Sequence, residues 1–310
     1  MPLTRFTWLR RSLLALAALA LLLAVAFVMV RYLHVDNRVV RWLRDQVPGH
    51  AWNQPRWQGH SLWLPGYRYD IQGRVLEGVD DNLSGLSYDA GNDRLLAVIN
   101  RPSQLLVLDG EGRVLQRHRL QGASDVEAIA WLGDDEVALL QEGRRSVIVA
   151  RLPAGDGEPI DVTRARVIAL EMDEAGNNGP EGLAYDAAGD VLYVAKERSP
   201  TALYELRGVL RGETVQVDRS AWLKGLDFAT DISSLEFDPA HRHLLLLSDE
   251  SQLLAEIAAD GRPVSWRSLA NWNGHLPVPQ AEGVALGRNG TLYVVSEPNL
   301  FYRLQPATAR

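Results

Sequence analysis

Acidic and amide side chains recur at matched positions along this sequence, where short strands are predicted to begin and end. Five copies of one motif carry these residues just inside a first strand: Ser84, Glu127, Glu181, Ser233 and Glu282. Two residues earlier stand Asn82, Asp125, Gly179, Asp231 and Gln280, and the following strand closes on Arg101, Glu142, Glu197, Glu250 and Glu297. Oxygen ligands without paired histidines or any cysteine are the set that Ca²⁺ or Mg²⁺ prefers over zinc.

These glutamates would repel one another strongly if they converged at one place. A close pair costs on the order of 4 kcal/mol at about 4 Å and an effective dielectric of about 20. A bound cation, arginine partners, protonation or solvation could each offset this cost. For a metal, Glu127, Glu181 and Glu282 are the first choices, supplemented by Asn82, Asp125 and Asp231. The alternative is that the acids, above all Glu142, Glu197, Glu250 and Glu297, accept backbone hydrogen bonds and pair with arginines such as Arg101, Arg144, Arg145 and Arg198.

The elements that position these side chains are predicted to be strands. From residue 63 onward, short β-branched and aromatic runs alternate with turn residues, which is typical of an all-β domain. The five motif copies follow one another at 43, 54, 52 and 49 residues, enough for four strands each. Such a repeat must stack to bury its apolar faces. We therefore predict a β-propeller of five four-stranded blades whose last blade is completed by residues 67–71, with six blades as the alternative.

In a propeller the first strand of each blade lines a central channel. The second strand is antiparallel to the first, so its end lies beside the start of the first. All of the acidic positions above are therefore expected at one mouth of the channel.

The N-terminal region predicts a membrane anchor. Residues 13–30 are uninterruptedly apolar, near the length that crosses a bilayer. Arg5, Arg10 and Arg11 precede them, which predicts a cytoplasmic N-terminus and, in a bacterium, a single-pass inner-membrane protein with its propeller in the periplasm. A cleaved signal peptide is the alternative. The predicted organisation is an anchor over 1–31, a juxtamembrane helix (within 35–46) and linker over 32–62, and the propeller over 63–310.

Charge and motif content exclude several function classes. Beyond residue 59 the chain has 24 basic against 37 acidic side chains, which disfavours nucleic-acid binding. The sequence has no cysteine and no phosphate-binding, dinucleotide or nucleophile-elbow motif. His275, in the connection before the last blade, is the one histidine considered as a general base, and a plain loop histidine is the simpler interpretation.

Several longer motifs resemble the SdiA-regulated family of bacterial β-propellers, in its YjiK-type membrane-anchored form. They are Asn82-Leu83-Ser84-Gly85-Leu86, Ile99-Asn100-Arg101-Pro102, Pro180-Glu181-Gly182-Leu183-Ala184-Tyr185, Ser248-Asp249-Glu250-Ser251, Gln280-Ala281-Glu282-Gly283-Val284-Ala285 and Val295-Ser296-Glu297-Pro298-Asn299-Leu300-Phe301-Tyr302-Arg303. The resemblance covers about residues 65–306 and departs from the family pattern at Pro180. It implies a propeller at the inner membrane or in the periplasm, and it implies no particular activity.

Two functions from different classes fit these observations. The first is a tethered module that binds a small molecule or a periplasmic protein at one propeller face, with Ca²⁺ or Mg²⁺ at the acidic channel mouth. The second is a calcium-dependent hydrolase resembling the lactonase and esterase propellers, in which the metal polarises a carbonyl or phosphoryl oxygen and activates water. An ion that only locks the blades together is intermediate between them.

Overall fold

The computed structural model of the protein describes residues 3–31, 35, 39, 43, 52–172, 179–226, 228–269 and 277–307. Helix α1 (Leu3–Arg31) contains a 20-residue stretch, Arg11–Val30, that is long and apolar enough to cross a membrane. Val35, Val39 and Leu43 are helical, and the rest of the helix predicted within residues 35–46 lies outside the described residues.

The described strands form the five blades of a propeller, each with four antiparallel strands, and a two-residue strand that precedes the last strand of blade 2 pairs in parallel with the outer strand of blade 1. Strand β1 is Tyr67–Val75. Blade 1 contains β2 (Leu83–Asp89), β3 (Arg94–Ile99), β4 (Gln104–Leu108) and β5 (Val114–Gln121), and blade 2 contains β6 (Val126–Gly133), β7 (Glu136–Gln141), β8 (Ser146–Arg151) and, after the short β9 (Ile160–Asp161), β10 (Arg166–Ala169). Blade 3 contains β11 (Pro180–Asp186), β12 (Val191–Lys196), β13 (Ala202–Arg207) and β14 (Val215–Asp218). Blade 4 contains β15 (Ser234–Asp238), β16 (His243–Ser248), β17 (Leu253–Ala258) and β18 (Pro263–Ser268), and blade 5 contains β19 (Ala281–Leu286), β20 (Leu292–Ser296) and β21 (Leu300–Pro306).

Blade 5 is completed by the first strand of the domain. Strand β1 pairs antiparallel with β21, from Tyr67 opposite Pro306 to Val75 opposite Leu300. The pairing confirms the predicted five-bladed propeller, and the closing strand extends four residues beyond the predicted 67–71. Closure in this way pairs the edge that β21 would otherwise leave open. Four short 3₁₀ turns connect elements: Pro55–Trp57, Leu64–Gly66, Ser220–Gly225 and Arg288–Gly290.

The core consists of apolar layers between neighbouring blades. Branched side chains such as Leu139, Leu192 and Leu245 are fully buried in these layers. The inner strands approach so closely that a Cβ added at Gly85 would lie 2.6 Å from the Cα of Ala128 on the next blade. A glycine is therefore required there by backbone contact, because no side chain could move aside.

Residues 52–66, which we call the N-terminal strap, pack on blade 4. Trp52 is 5% exposed and contacts Phe228 edge-on at 5.4 Å. The amide of Leu64 donates to Ser265 Oγ at 3.0 Å. Trp57 contacts His243, the first residue of β16, with ring centroids 5.7 Å apart. The segment 52–62, assigned to the linker from the sequence, is thus part of the packed domain.

Candidate functional site

Antiparallel pairing of the first two strands of a blade brings the predicted acids together. In blade 3, Pro180 lies opposite Lys196, so the next residue on each strand, Glu181 and Glu197, lies at the same end. This end of the strand pair is held by a hydrogen bond from the backbone amide of Glu197 to the carbonyl of Gly179 at 3.0 Å. The equivalent bonds from Glu142 to Asp125 (3.1 Å) and from Glu297 to Gln280 (3.0 Å) repeat this geometry in blades 2 and 5.

These ends surround a cavity of about 290 Å³ with residues from all five blades, which we call the acidic mouth. Among the residues that the structure describes, eight carboxylates and one guanidinium, that of Arg198, line it. The carboxylates belong to Glu127, Glu181, Glu197, Asp231, Asp249, Glu250, Glu282 and Glu297. The local excess of negative charge is therefore much larger than the average for the domain.

Glu181 and Glu282 are the least compensated members of the acidic mouth. Within the described part of the chain, no hydrogen bond or ion pair reaches either carboxylate. Burial, followed by the charges of Glu197 and Glu282, holds the pKa of Glu181 far above its usual range. Burial, followed by Asp249 and other acids, raises the pKa of Glu282 to about 9. Both side chains are thus held where ionisation is costly without a cation.

Glu127 has hydrogen-bond donors on both oxygens. Ser84 Oγ donates to Oε2 at 3.1 Å, and the Asn100 amide donates to Oε1. Burial outweighs the Ser84 bond and raises the pKa of Glu127 to about 7, with Glu142 and Asp125 contributing. Its proton is therefore exchanged near neutral pH.

Three of the predicted acids form a set with metal-ligand spacing. One carboxylate oxygen each from Asp125, Glu127 and Glu142 lies within 4.8 Å of the others. Ligand oxygens at about 2.4 Å from a Ca²⁺ ion are separated by such distances. Oε1 of Glu142 accepts the Gly179 amide at 2.9 Å. Glu181 and Glu282, expected as first-choice ligands, line the acidic mouth with Glu127 and do not join this set, whereas Asp125 and Glu142 are not among the residues that line this cavity.

Arginines offset part of the charge, as the alternative interpretation expected. Arg198 pairs with Glu197 at 3.0 Å and also with Glu250. Arg101 pairs with Asp125 at 3.1 Å, with its side chain 75% exposed. Neither reaches Glu181 or Glu282, so arginine pairing relieves the rim of the acidic mouth and leaves its interior uncompensated.

The strand register corrects two of the residues expected to close the second strand of a blade, Glu250 in blade 4 and Arg101 in blade 1. In blade 4, Ser234 pairs with Leu247, which makes Asp249 the equivalent of Glu197. Glu250 follows one residue later and still lines the cavity. In blade 1, the backbone amide of Asn100 donates to the Asn82 carbonyl at 3.0 Å. Asn100 therefore occupies the position expected for Arg101. In both segments two adjacent polar residues could occupy the position, and only the strand pairing shows which of them does.

Asp231 and Asn82, expected as supplementary ligands, have backbone roles. Asp231 is 2% exposed; one oxygen accepts the Ser248 hydroxyl and the other accepts the amides of Asp249 and Glu250 at 3.0 and 3.3 Å. Burial raises the pKa of Asp231 to about 6. Asn82 has φ of 60°, a left-handed conformation that asparagine tolerates well. It is not among the residues lining the cavity. His275, considered as a base, lies outside the described residues.

Comparison with known proteins identifies a family and a fold. The model of the family described as SdiA-regulated matches residues 59–305. Glutaminyl cyclase from Myxococcus xanthus is 14% identical, with a TM-score of 0.52 over 77% of this chain and 95% of that chain. A luciferin-regenerating enzyme is 12% identical (TM-score 0.48; 76% and 95% covered). A structural genomics protein from Bacteroides thetaiotaomicron is 13% identical, with a TM-score of 0.47 over 73% of this chain. This chain spans 55% of the length of that protein. At these identities the likeness concerns the fold alone.

Proposed function

Because the chain belongs to the SdiA-regulated family and its propeller follows an apolar N-terminal helix, we propose that it is a membrane-tethered binding module whose acidic mouth holds a divalent cation. The observation that carries this proposal is the cavity lined by eight carboxylates and one guanidinium. A cation is the simplest means of keeping so many acids ionised in a partly buried place.

The ligand chemistry favours Ca²⁺, with Mg²⁺ as the alternative. Calcium accepts six to eight oxygens at flexible angles, whereas Mg²⁺ needs near-octahedral geometry. The set of Asp125, Glu127 and Glu142 would supply the first oxygens. A cation held there would leave positions for oxygen atoms of a bound small molecule or peptide, while Glu181 and Glu282 would bind cationic groups of that ligand. The module would thus recognise a ligand with both an oxygen donor and a positive charge.

The direct test is thermal unfolding of the full chain in a non-ionic detergent, in calcium and in chelator. Calcium should raise the melting temperature of the wild-type protein. Glu127→Gln should remove most of that rise, because it removes one of the carboxylates proposed to hold the cation. Glu213→Gln, at an exposed acid of blade 3 that does not line the acidic mouth, is the matched control and should behave as wild type. Equal melting curves for the wild type in calcium and in chelator would refute the metal proposal.

We also propose a location in the bacterial inner membrane with the propeller in the periplasm. Helix α1 supports the membrane part, and the arginines at positions 5, 10 and 11 support a cytoplasmic N-terminus. Protease added to spheroplasts should digest the propeller, and a cytoplasmic control protein should survive. Protection of the propeller in intact spheroplasts, together with digestion after lysis, would reverse the orientation.

Calcium-dependent hydrolysis is a second candidate, favoured by Glu181 and Glu282, which line the cavity with Glu127 and have no hydrogen-bond or ion-pair partner among the described residues. A carboxylate that does not itself hold the metal is suited to general base catalysis beside a metal that polarises a carbonyl. A panel of lactones and aryl esters, assayed with calcium and with chelator, separates the candidates. Turnover that requires calcium and is lost in Glu127→Gln would favour the hydrolase, whereas binding without turnover would favour the module.

A further inference from the structure

The other end of the channel has a different chemistry. The inner strand of each blade carries a large apolar side chain four residues beyond Ser84, Glu127, Glu181, Ser233 or Glu282. These side chains are Tyr88, Trp131, Tyr185, Phe237 and Leu286. Together they line a cavity of about 380 Å³ to which all five blades contribute, and which we call the aromatic mouth. It lies beyond the proposed metal site, at the opposite end of the same strands.

One carboxylate in the aromatic mouth is not neutralised. Glu236 lines the cavity and accepts two backbone amides, from Phe237 at 2.7 Å and from Leu286 at 3.0 Å. These bonds fix the carboxylate and supply no positive charge. The other charged lining residues, Asp186 and Arg242, pair with each other at 2.8 Å. Glu236 is therefore the uncompensated charge among the described residues that line this cavity.

The aromatic side chains around Glu236 are held in place. The hydroxyl of Tyr88 donates to Asp93 at 2.5 Å, and that of Tyr185 donates to Asp190 at 3.0 Å. Phe237 is 3% exposed, its ring stacks on Tyr193 at 5.8 Å, and the guanidinium of Arg242 lies 5.5 Å from its centroid, so its faces are already covered. The half-buried rings of Tyr88, Trp131 and Tyr185 remain to line the cavity with the carboxylate, and they offer a preorganised environment for a positive charge on an apolar body.

We propose that the aromatic mouth is a second binding site, which takes a small organic cation such as an alkylammonium or quaternary ammonium group. The choice follows from exclusion by chemistry. A metal ion would find one carboxylate where it needs several oxygens. An anion would be repelled by Glu236, and a neutral apolar molecule would leave Glu236 buried without a charged partner. An organic cation satisfies the rings and the carboxylate together.

The test is calorimetric titration of the full chain, in a non-ionic maltoside detergent and with calcium present, using choline as the probe. Its uncharged carbon analogue, 3,3-dimethylbutanol, is the matched neutral ligand. We expect choline to bind one site per chain and to bind at least about tenfold more tightly than the neutral analogue. Glu236→Gln should weaken choline binding by a similar factor and leave the neutral analogue unaffected.

Two further variants locate the site and guard against misfolding. Ala187→Trp places a bulky side chain at an exposed position on the rim of the aromatic mouth and should block choline without disturbing the interior. Glu213→Gln, at an exposed acid that lines neither mouth, is the control and should leave choline binding unchanged. The proposal is overturned if the wild type does not bind choline, or if Ala187→Trp and Glu236→Gln both preserve binding. This outcome is independent of the calcium test, because the two sites share no lining residue.

Discussion

Glu181 and Tyr185 lie four residues apart on strand β11 and line opposite mouths of the channel. A strand rises about 3.3 Å per residue, so roughly 13 Å separates the two positions. Because the same offset recurs in every blade, acids or serines lie around one mouth and large apolar side chains around the other. The inner strand thus carries two kinds of recognition surface on one short element.

The metal-free protein should lose stability as the pH rises. Glu282 has a pKa of about 9 in the folded protein, above its ordinary value of 4.5. The protonated side chain therefore contributes to the stability of the folded protein. That contribution is complete below about pH 4.5 and is lost as the pH rises towards 9. Melting temperatures in chelator should therefore fall between pH 5 and pH 8, by about 2–4 °C per kcal/mol of repulsion.

The variant Glu282→Gln should flatten this pH dependence and raise the melting temperature in chelator at pH 8. Calcium should also stabilise the wild type more at pH 8 than at pH 5, since protons and the cation compete for the same acids. A melting temperature in chelator that rises from pH 5 to pH 8 would contradict the assignment of uncompensated acids to the acidic mouth.

Choline binding should strengthen between pH 6 and pH 8. Burial raises the pKa of Glu236 to about 7, with a further contribution from Asp238, so the carboxylate that attracts the ligand forms over this range. Arg242, the guanidinium that lines the same cavity, is paired with Asp186 at 2.8 Å, and His241 and Asp238 lie next to each other on the following turn. Titrations at three pH values would measure the effect, and Glu236→Gln should show no such change.

The variant Gly85→Ala should destabilise the propeller strongly. Its new Cβ would lie 2.6 Å from a backbone atom of blade 2, so the two inner strands would have to separate. Overpacking of this kind costs about 1–3 kcal/mol or more. Gly225→Ala is the control, because its nearest neighbour would be 3.8 Å away. Chemical denaturation of both variants gives the comparison, and equal stability of the two would show that the blades can yield at this contact.

The variant Trp52→Ala should release the N-terminal strap from blade 4. Trp52 is 5% exposed and lies in the apolar layer with Phe228, so truncation should cost about 3–5 kcal/mol. Limited proteolysis should then cut within residues 52–66 before the blades. His60→Ala, at an exposed position of the same segment, should leave the cleavage pattern of the wild type. An unchanged pattern in Trp52→Ala would mean that the strap is held by its other contacts.

The repeat length and the missing last strand were sufficient to predict five blades and their closure, because each strand was marked by local alternation and turn residues. The position of Asp249 was not predictable, since Asp249 and Glu250 are adjacent acids and only the pairing of Ser234 with Leu247 selects one. The acidic mouth is predictable from the sequence, because like residues recur at matched positions of the repeat. The set formed by Asp125, Glu127 and Glu142 takes one residue from each of three matched positions, so a comparison of like positions does not group its members.

The aromatic mouth was missed because its side chains read as ordinary core. One signal was present. The column that contains Glu236 otherwise holds small residues: Ser87, Ala130, Ala184 and Ala285. Glu236 accepts the Leu286 amide of the next blade as Ser87 accepts the Trp131 amide, and it adds a carboxylate that the small residues lack.

Strand β1, the first of the domain, completes its sheet with β21, the last. During synthesis β1 must therefore wait, unpaired, while more than 200 residues are made. Four blades can form from sequential hairpins in that time, whereas the fifth depends on a contact between distant parts of the chain, which is the slow kind of step in folding. The ring is thus completed only after β21 has been made, and until then both mouths of the channel are open along one side.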